Sequence, residues 1–161
     1  MGIFDFIKDA GEKLIGKDEP APQPQARQVD PAQLEAMKRR KALERLIAEL
    51  GLEVEGLEIE VTDDTAVVRG QVDDQAEREK VILAVGNVRG IARVDDRLEA
   101  KKKAPEAVMY TVAAGDSLSK IAKHHYGNAN LYMKIFEANQ PMLKDPNKIY
   151  PGQVLRIPPA V

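Results

Sequence analysis

The stretch that most restricts how this chain can fold runs from Tyr110 to Pro158. It opens with Tyr110-Thr111-Val112-Ala113-Ala114-Gly115-Asp116-Ser117-Leu118, a short strand that enters a Gly-Asp turn and passes directly into an apolar helix. It closes with Ile149-Tyr150-Pro151-Gly152-Gln153-Val154-Leu155-Arg156-Ile157-Pro158, a Pro-Gly turn followed by a second strand. Between these ends, Leu118, Ile121 and Ala122 supply the core face of the first helix. Asp116 is its expected cap, and Gly127 its expected left-handed C-terminal residue. Leu131, Ile135 and Ala138 mark a second helix. Two edge-to-edge strands with two helices between them form a β-α-α-β unit. A unit of about 50 residues lies near the lower limit for folding without covalent staples. The chain has no cysteine, so packing and well-formed turns must hold it.

The 161 residues leave room for one medium domain or two small ones. With 43% hydrophobic and 31% charged residues, the chain reads as soluble and globular. A formal charge of −2 gives no basic footprint for nucleic acid. No apolar run reaches the roughly 18 residues of a membrane span. The first residues lack the basic region, continuous apolar core and cleavage site of a secretory leader. Met1-Gly2 lacks the downstream Ser or Thr of a myristoylation signal, because Phe6 stands there. The expected location is therefore the cytoplasm.

Ile3, Phe4, Ile7, Ala10, Leu14 and Ile15 recur at helical spacing, so residues 1–16 are expected to form an amphipathic docking helix. Its polar face mixes signs, which argues against a membrane surface. Residues 17–30 carry Pro20, Pro22 and Pro24 and read as an extended linker. Asp30-Pro31 starts a helix, with Asp as cap and Pro at the first helical position. That helix runs to about Leu50, with Leu43, Leu46, Ile47 and Leu50 as its apolar stripe. The basic run Lys38-Arg39-Arg40-Lys41 points nearly all round the helix and makes no single patch. Leu57 to Val61 and Thr65 to Val72 form a hairpin turning at Asp63-Asp64. Asp73-Asp74 caps a helix from Gln75 to Val85, which Gly86-Asn87-Val88-Arg89-Gly90 breaks. Ile91 to Glu99 is the last strand. Residues 31–100 thus read as α-β-β-α-β, 101–109 as a second linker, and the whole as an α+β chain.

Side chains with enzyme chemistry are not arranged for it. His124 and His125 are adjacent on a helix and diverge by about 100°. Neither Ser117 nor Ser119 has a recognisable base and oxyanion arrangement. Asp63-Asp64 and Asp95-Asp96 are neighbours whose side chains project apart, unlike a working acid–base pair. No complete Gly-x-x-x-x-Gly-Lys-Ser/Thr loop exists, because Asp18 follows Gly11-Glu12-Lys13-Leu14-Ile15-Gly16-Lys17. The expectation is a non-enzyme.

The two ends of residues 110–158 resemble the LysM domain. Val67-Val68-Arg69-Gly70-Gln71-Val72, the charged helix after it, and Val88-Arg89-Gly90-Ile91-Ala92-Arg93-Val94-Asp95-Asp96-Arg97-Leu98 resemble the BON domain. Together with the opening Met1 to Leu14 and the stretch Tyr126-Gly127-Asn128-Ala129-Asn130-Leu131-Tyr132, the chain resembles end to end a family of small bacterial potassium-binding proteins. The main departure is the long Pro-rich linker. The resemblance implies a soluble, monomeric K⁺ sensor associated with stress response, one that becomes more compact on binding the ion. K⁺ is large, singly charged and loosely hydrated, so neutral main-chain carbonyls can replace its water shell. Clustered carboxylates would instead suit a hard divalent ion. Unused carbonyls occur at helix C-termini and glycine turns. Two such places exist: around Ile7, Ala10 and Glu12, and at the break holding Gly86, Val88 and Ile91. The residues alone leave open a simpler role for Gly86 and Gly90, as a helix cap and a turn before a strand. A LysM domain also implies a glycan groove for peptidoglycan or related GlcNAc fragments, here Gly115, Asp116, Ser117 and Leu118 facing Asn139, Gln140, Pro141 and Met142. A scaffold binding an unidentified protein or a lipid surface is the remaining alternative.

Overall fold

The computed structural model describes residues 2–6 and 30–159. A four-stranded sheet and a two-stranded sheet are joined by one central helix. The first sheet has the order β1-β4-β3-β2, with β1 at Gly2–Asp5, β2 at Glu55–Thr62, β3 at Thr65–Asp74 and β4 at Arg93–Lys102. β2 and β3 form the expected antiparallel hairpin. β3 and β4 run parallel, with Ala66 opposite Val94 and Val68 opposite Asp96. Parallel neighbours need a crossover, which α2 at Gln75–Gly86 supplies. Alternation along β4 is clear: Val94, Asp96 and Leu98 are buried, whereas Arg93, Arg97 and Glu99 are exposed.

α1 spans Pro31–Glu49. Asp30 accepts a hydrogen bond from the Ala32 N–H, Pro31 is the first helical residue, and Leu43, Leu46 and Ile47 are buried. At α2 the cap is Asp74, whose carboxylate accepts from the Glu77 N–H at 2.8 Å. From Val81 to Gly86 every residue of α2 is buried. A helix apolar all round must be covered on several sides. α2 lies against β3 and β4, against α1, and against β6 of the second sheet.

The second unit contains β5 at Val108–Thr111, α3 at Leu118–Tyr126, a 3-10 turn at Ala129–Leu131, α4 at Tyr132–Ala138 and β6 at Val154–Ile157. β5 and β6 pair antiparallel, with Tyr110 opposite Leu155. Gly127 ends α3 in the left-handed region at φ 73°. The core is continuous between the two units and includes Phe6, Ile82, Leu83, Ile121, Ile135 and Leu155.

Two expectations are corrected. Ile3, Phe4 and Asp5, expected on the docking helix, lie in β1, which pairs with β4 antiparallel so that Phe4 sits opposite Val94. A free strand edge on β4 provides the partner, and the inside–outside alternation of residues 2–5 fits a sheet. The rest of that helix, residues 7–16, falls outside the described residues. The other correction concerns the cap of α3, which is Ser117, accepting from the Lys120 N–H. Asp116 is engaged one residue earlier. Its carboxylate accepts from the Tyr110 hydroxyl at 2.6 Å and the Ala113 N–H at 2.8 Å.

Candidate ion-binding site

α2 ends at a run of main-chain carbonyls with few helix partners left. The Leu83 carbonyl accepts from the Asn87 N–H, that of Val85 from Val88, and that of Val88 from Ile91. Among the described residues, the carbonyls of Gly86 and Ile91 accept no hydrogen bond. Helix C-terminal carbonyls carry partial negative charge, and Gly86, Val88 and Ile91 are all buried. Among the described residues no group of three His, Cys, Asp or Glu side chains gathers to hold a metal. Main-chain carbonyls of this kind can replace the water shell of a large monovalent cation.

The N-terminal segment reaches this turn. The Phe6 N–H donates to the Ala92 carbonyl at 2.6 Å, and the Phe6 ring lies on Gly86. A Cβ at position 86 would sit 1.9 Å from the ring's Cζ, so the helix can only carry glycine there while Phe6 stays seated. Gly90, at φ +92°, is covered by Arg39, whose Nη1 donates to the Asp63 carbonyl at 2.5 Å. Asp64 accepts from the N–H groups of Ala92 and Arg93 through its carbonyl. The 86–92 turn is therefore held between Phe6 on one side and the β2–β3 turn on the other. Of the six residues whose carbonyls are expected to surround an ion, Gly86, Val88 and Ile91 lie in one buried turn, where the Val88 carbonyl accepts from the Ile91 N–H. Ile7, Ala10 and Glu12 lie outside the described residues, directly after the seated Phe6 in sequence.

The expected glycan groove is only partly as drawn from the sequence. A cleft of about 380 Å³ is lined by Asp116, Ser117, Leu118, Tyr132, Asn147 and Ile149, among others. Its far wall comes from the loop after Met142. Asn139 and Met142 are buried and turned toward β6 and α2, and Gly115, Gln140 and Pro141 are not among the lining residues. Asn139 is held by the backbone of Ile135 and Arg156, because its carboxamide completes the edge of β6.

The BON domain family matches residues 38–102, and the LysM domain family matches residues 110–158. Potassium binding protein Kbp of Escherichia coli O6:H1 (strain CFT073) is 46% identical over 159 residues, 98% of this chain and 99% of that protein. The chain belongs to the Kbp family. More partial similarities reach an uncharacterized protein of Deinococcus radiodurans, 37% identical over 106 residues, 59% of this chain and 41% of that protein. Esterase Rv1288 of Mycobacterium tuberculosis is 47% identical over 53 residues, 33% of this chain and 11% of that esterase.

In this member of the Kbp family, three groups near the turn gave no signal in sequence. Phe6 falls between the apolar positions at helical spacing and figured only as the residue standing where a myristoylation signal has Ser or Thr. Asn87 looked like part of a helix stop, yet it is fully buried and its side chain reaches β6. Glu79 and Arg156 form a buried ion pair between α2 and β6, with Arg156 Nη2 and Nε 2.9 and 3.0 Å from Glu79 Oε1. Glu79 Oε2 also accepts from the Ala107 N–H and from Gln75.

Proposed function

We propose that this chain is a cytoplasmic potassium-ion sensor whose ion is held by main-chain carbonyls at the seam between its N-terminal segment and the end of α2. The observation that carries this reading is Phe6 seated on Gly86, with its N–H on the Ala92 carbonyl. It delivers the chain just ahead of Ile7, Ala10 and Glu12 to a turn where, among the described residues, the Gly86 and Ile91 carbonyls accept no hydrogen bond. The relative's name, potassium binding protein, supports the same ion. The ligand set proposed is the carbonyls of Ile7, Ala10, Glu12, Gly86, Val88 and Ile91. Gathering carbonyls from two distant segments links them, so occupancy draws the N-terminal segment onto the BON unit and the molecule becomes more compact. No catalytic role is proposed.

The test is a titration of ion-stripped protein with KCl, with NaCl as control, followed by amide NMR and small-angle scattering. The expected result is a K⁺-specific shift of the Phe6, Gly86 and Ile91 amides with a smaller radius of gyration. Equal responses to both salts, or none, would overturn the reading.

The cleft between Ser117 and Asn147 supports a second reading, binding of a GlcNAc glycan by the LysM unit. Retention on insoluble peptidoglycan, lost when Ser117 and Asn147 are replaced by bulkier residues, would favour it.

A further inference from the structure

Among the described residues β6 has one strand neighbour, β5, yet all four of its residues are buried. A buried edge must satisfy its outward N–H and C=O groups somewhere. Two asparagines do this. Asn139 Nδ2 donates to the Arg156 carbonyl at 2.9 Å, and its Oδ1 accepts from the Arg156 N–H at 2.8 Å. Asn87 treats Val154 the same way, donating to its carbonyl at 2.9 Å and accepting from its N–H at 3.0 Å. A carboxamide offers a donor and an acceptor side by side, as a peptide group does. The two side chains therefore stand in for a third strand. Asn139 comes from the LysM unit itself, but Asn87 comes from the BON unit. Asn87 is also the residue between Gly86 and Val88, in the middle of the proposed ion turn.

We infer that Asn87 is a positioning residue for the ion: β6 of the LysM unit grips its side chain and so fixes the direction of the carbonyls on either side of it. This rests on the potassium reading above. Linkage makes the effect reciprocal. If the docked LysM strand favours the ion-binding geometry of the turn, K⁺ favours the docked strand by the same factor. Couplings of this kind change affinity by about 5–150-fold. Val154 is then the point at which the LysM unit senses the ion, which assigns the LysM unit a part in ion binding without any ligand of its own.

Three arms test it on the full-length protein. In the wild type, KCl but not NaCl is expected to shift the Val154 amide and slow its hydrogen exchange, because that N–H donates directly to Asn87. Asn87→Ala is expected to weaken K⁺ binding on the order of tenfold and to abolish the K⁺-linked response at Val154, with far-UV circular dichroism unchanged. Met142→Leu alters the other group that Asn87 touches while keeping the carboxamide pairing, and is expected to leave K⁺ affinity within about twofold of wild type. Wild type that binds K⁺ with Val154 silent, or Asn87→Ala with wild-type affinity, overturns the inference alone. Wild type that binds no K⁺ overturns the potassium reading and this inference with it. Should Asn87→Ala fail to fold, the wild-type arm decides.

Discussion

Gly86 and Phe6 show how much one missing methyl can decide. A glycine in a helix costs about 1 kcal/mol relative to alanine, so its presence inside the last turn of α2 needs a reason. Phe6 provides it, since the ring occupies the space a Cβ would take. Gly86→Ala should therefore help the helix yet eject the ring, whose burial contributes about 1.5–3 kcal/mol. The net expectation is a loss of about 1–2 kcal/mol together with weaker K⁺ binding. In a Phe6→Ala background the same change should become neutral or stabilising by up to about 1 kcal/mol. Urea denaturation of the four proteins closes the cycle. A Gly86→Ala effect of the same sign in both backgrounds would mean that Phe6 is seated elsewhere.

At the scale of elements, the turn joining β5 to α3 hangs on Asp116. The Tyr110 hydroxyl, and secondarily the Ala113 N–H, hold its carboxyl below the usual value of 3.8. A depressed carboxyl stabilises the fold fully above its unfolded value, and that contribution is lost as pH falls through the folded value. Tyr110→Phe should thus cost about 1 kcal/mol at neutral pH, with the difference from wild type shrinking as the pH falls below the ordinary carboxyl value of 3.8. Urea midpoints at neutral pH and below that value measure it, and a pH-independent gap would remove Asp116 from the account. The elements themselves were mostly readable: capped α1, the β2–β3 hairpin and the Gly127 stop follow from local chemistry. β1 was not, because four residues are too few to tell a two-residue period from a helical one, and its partner β4 lies about 90 residues away in sequence. The layer covering α2 was half legible. The unbroken run Val81-Ile82-Leu83-Ala84-Val85-Gly86 requires apolar surroundings on all sides, but only the fold reveals that β6 provides one of them. At the site, glycines flagged the turn. Backbone ligands leave little side-chain pattern, and the two-ended role of Asn87 depends on a strand 67 residues further along.

Across the whole molecule, the decisive question is whether BON and LysM units are separate or one cooperative body. Their core is continuous, and the Glu79–Arg156 pair is buried at both ends, 5% and 8% exposed. A domain of about 50 residues has on the order of 2–7 kcal/mol of stability by itself. Removing one partner of a buried ion pair costs about 3–5 kcal/mol, because the other charge stays buried and unpaired. The two figures are of the same size, so the interface pair is able to decide whether the LysM unit melts with its neighbour or before it. Glu79→Gln removes the negative charge facing the Arg156 cation, and its single acceptor oxygen cannot serve both Arg156 and the Ala107 N–H. Calorimetry of the wild type is expected to show one transition. Glu79→Gln should show two, the earlier one accompanied by loss of amide protection at Ile121 and Ile135 while Val68 and Val94 stay protected. Replacing both partners by Met removes the unpaired cation, although the Ala107 N–H and Gln75 lose their acceptor, and should merge the transitions again. If Glu79→Gln still unfolds in one step with all four amides released together, the apolar contacts of α2 with β6 suffice to couple the units and the ion pair is not what joins them.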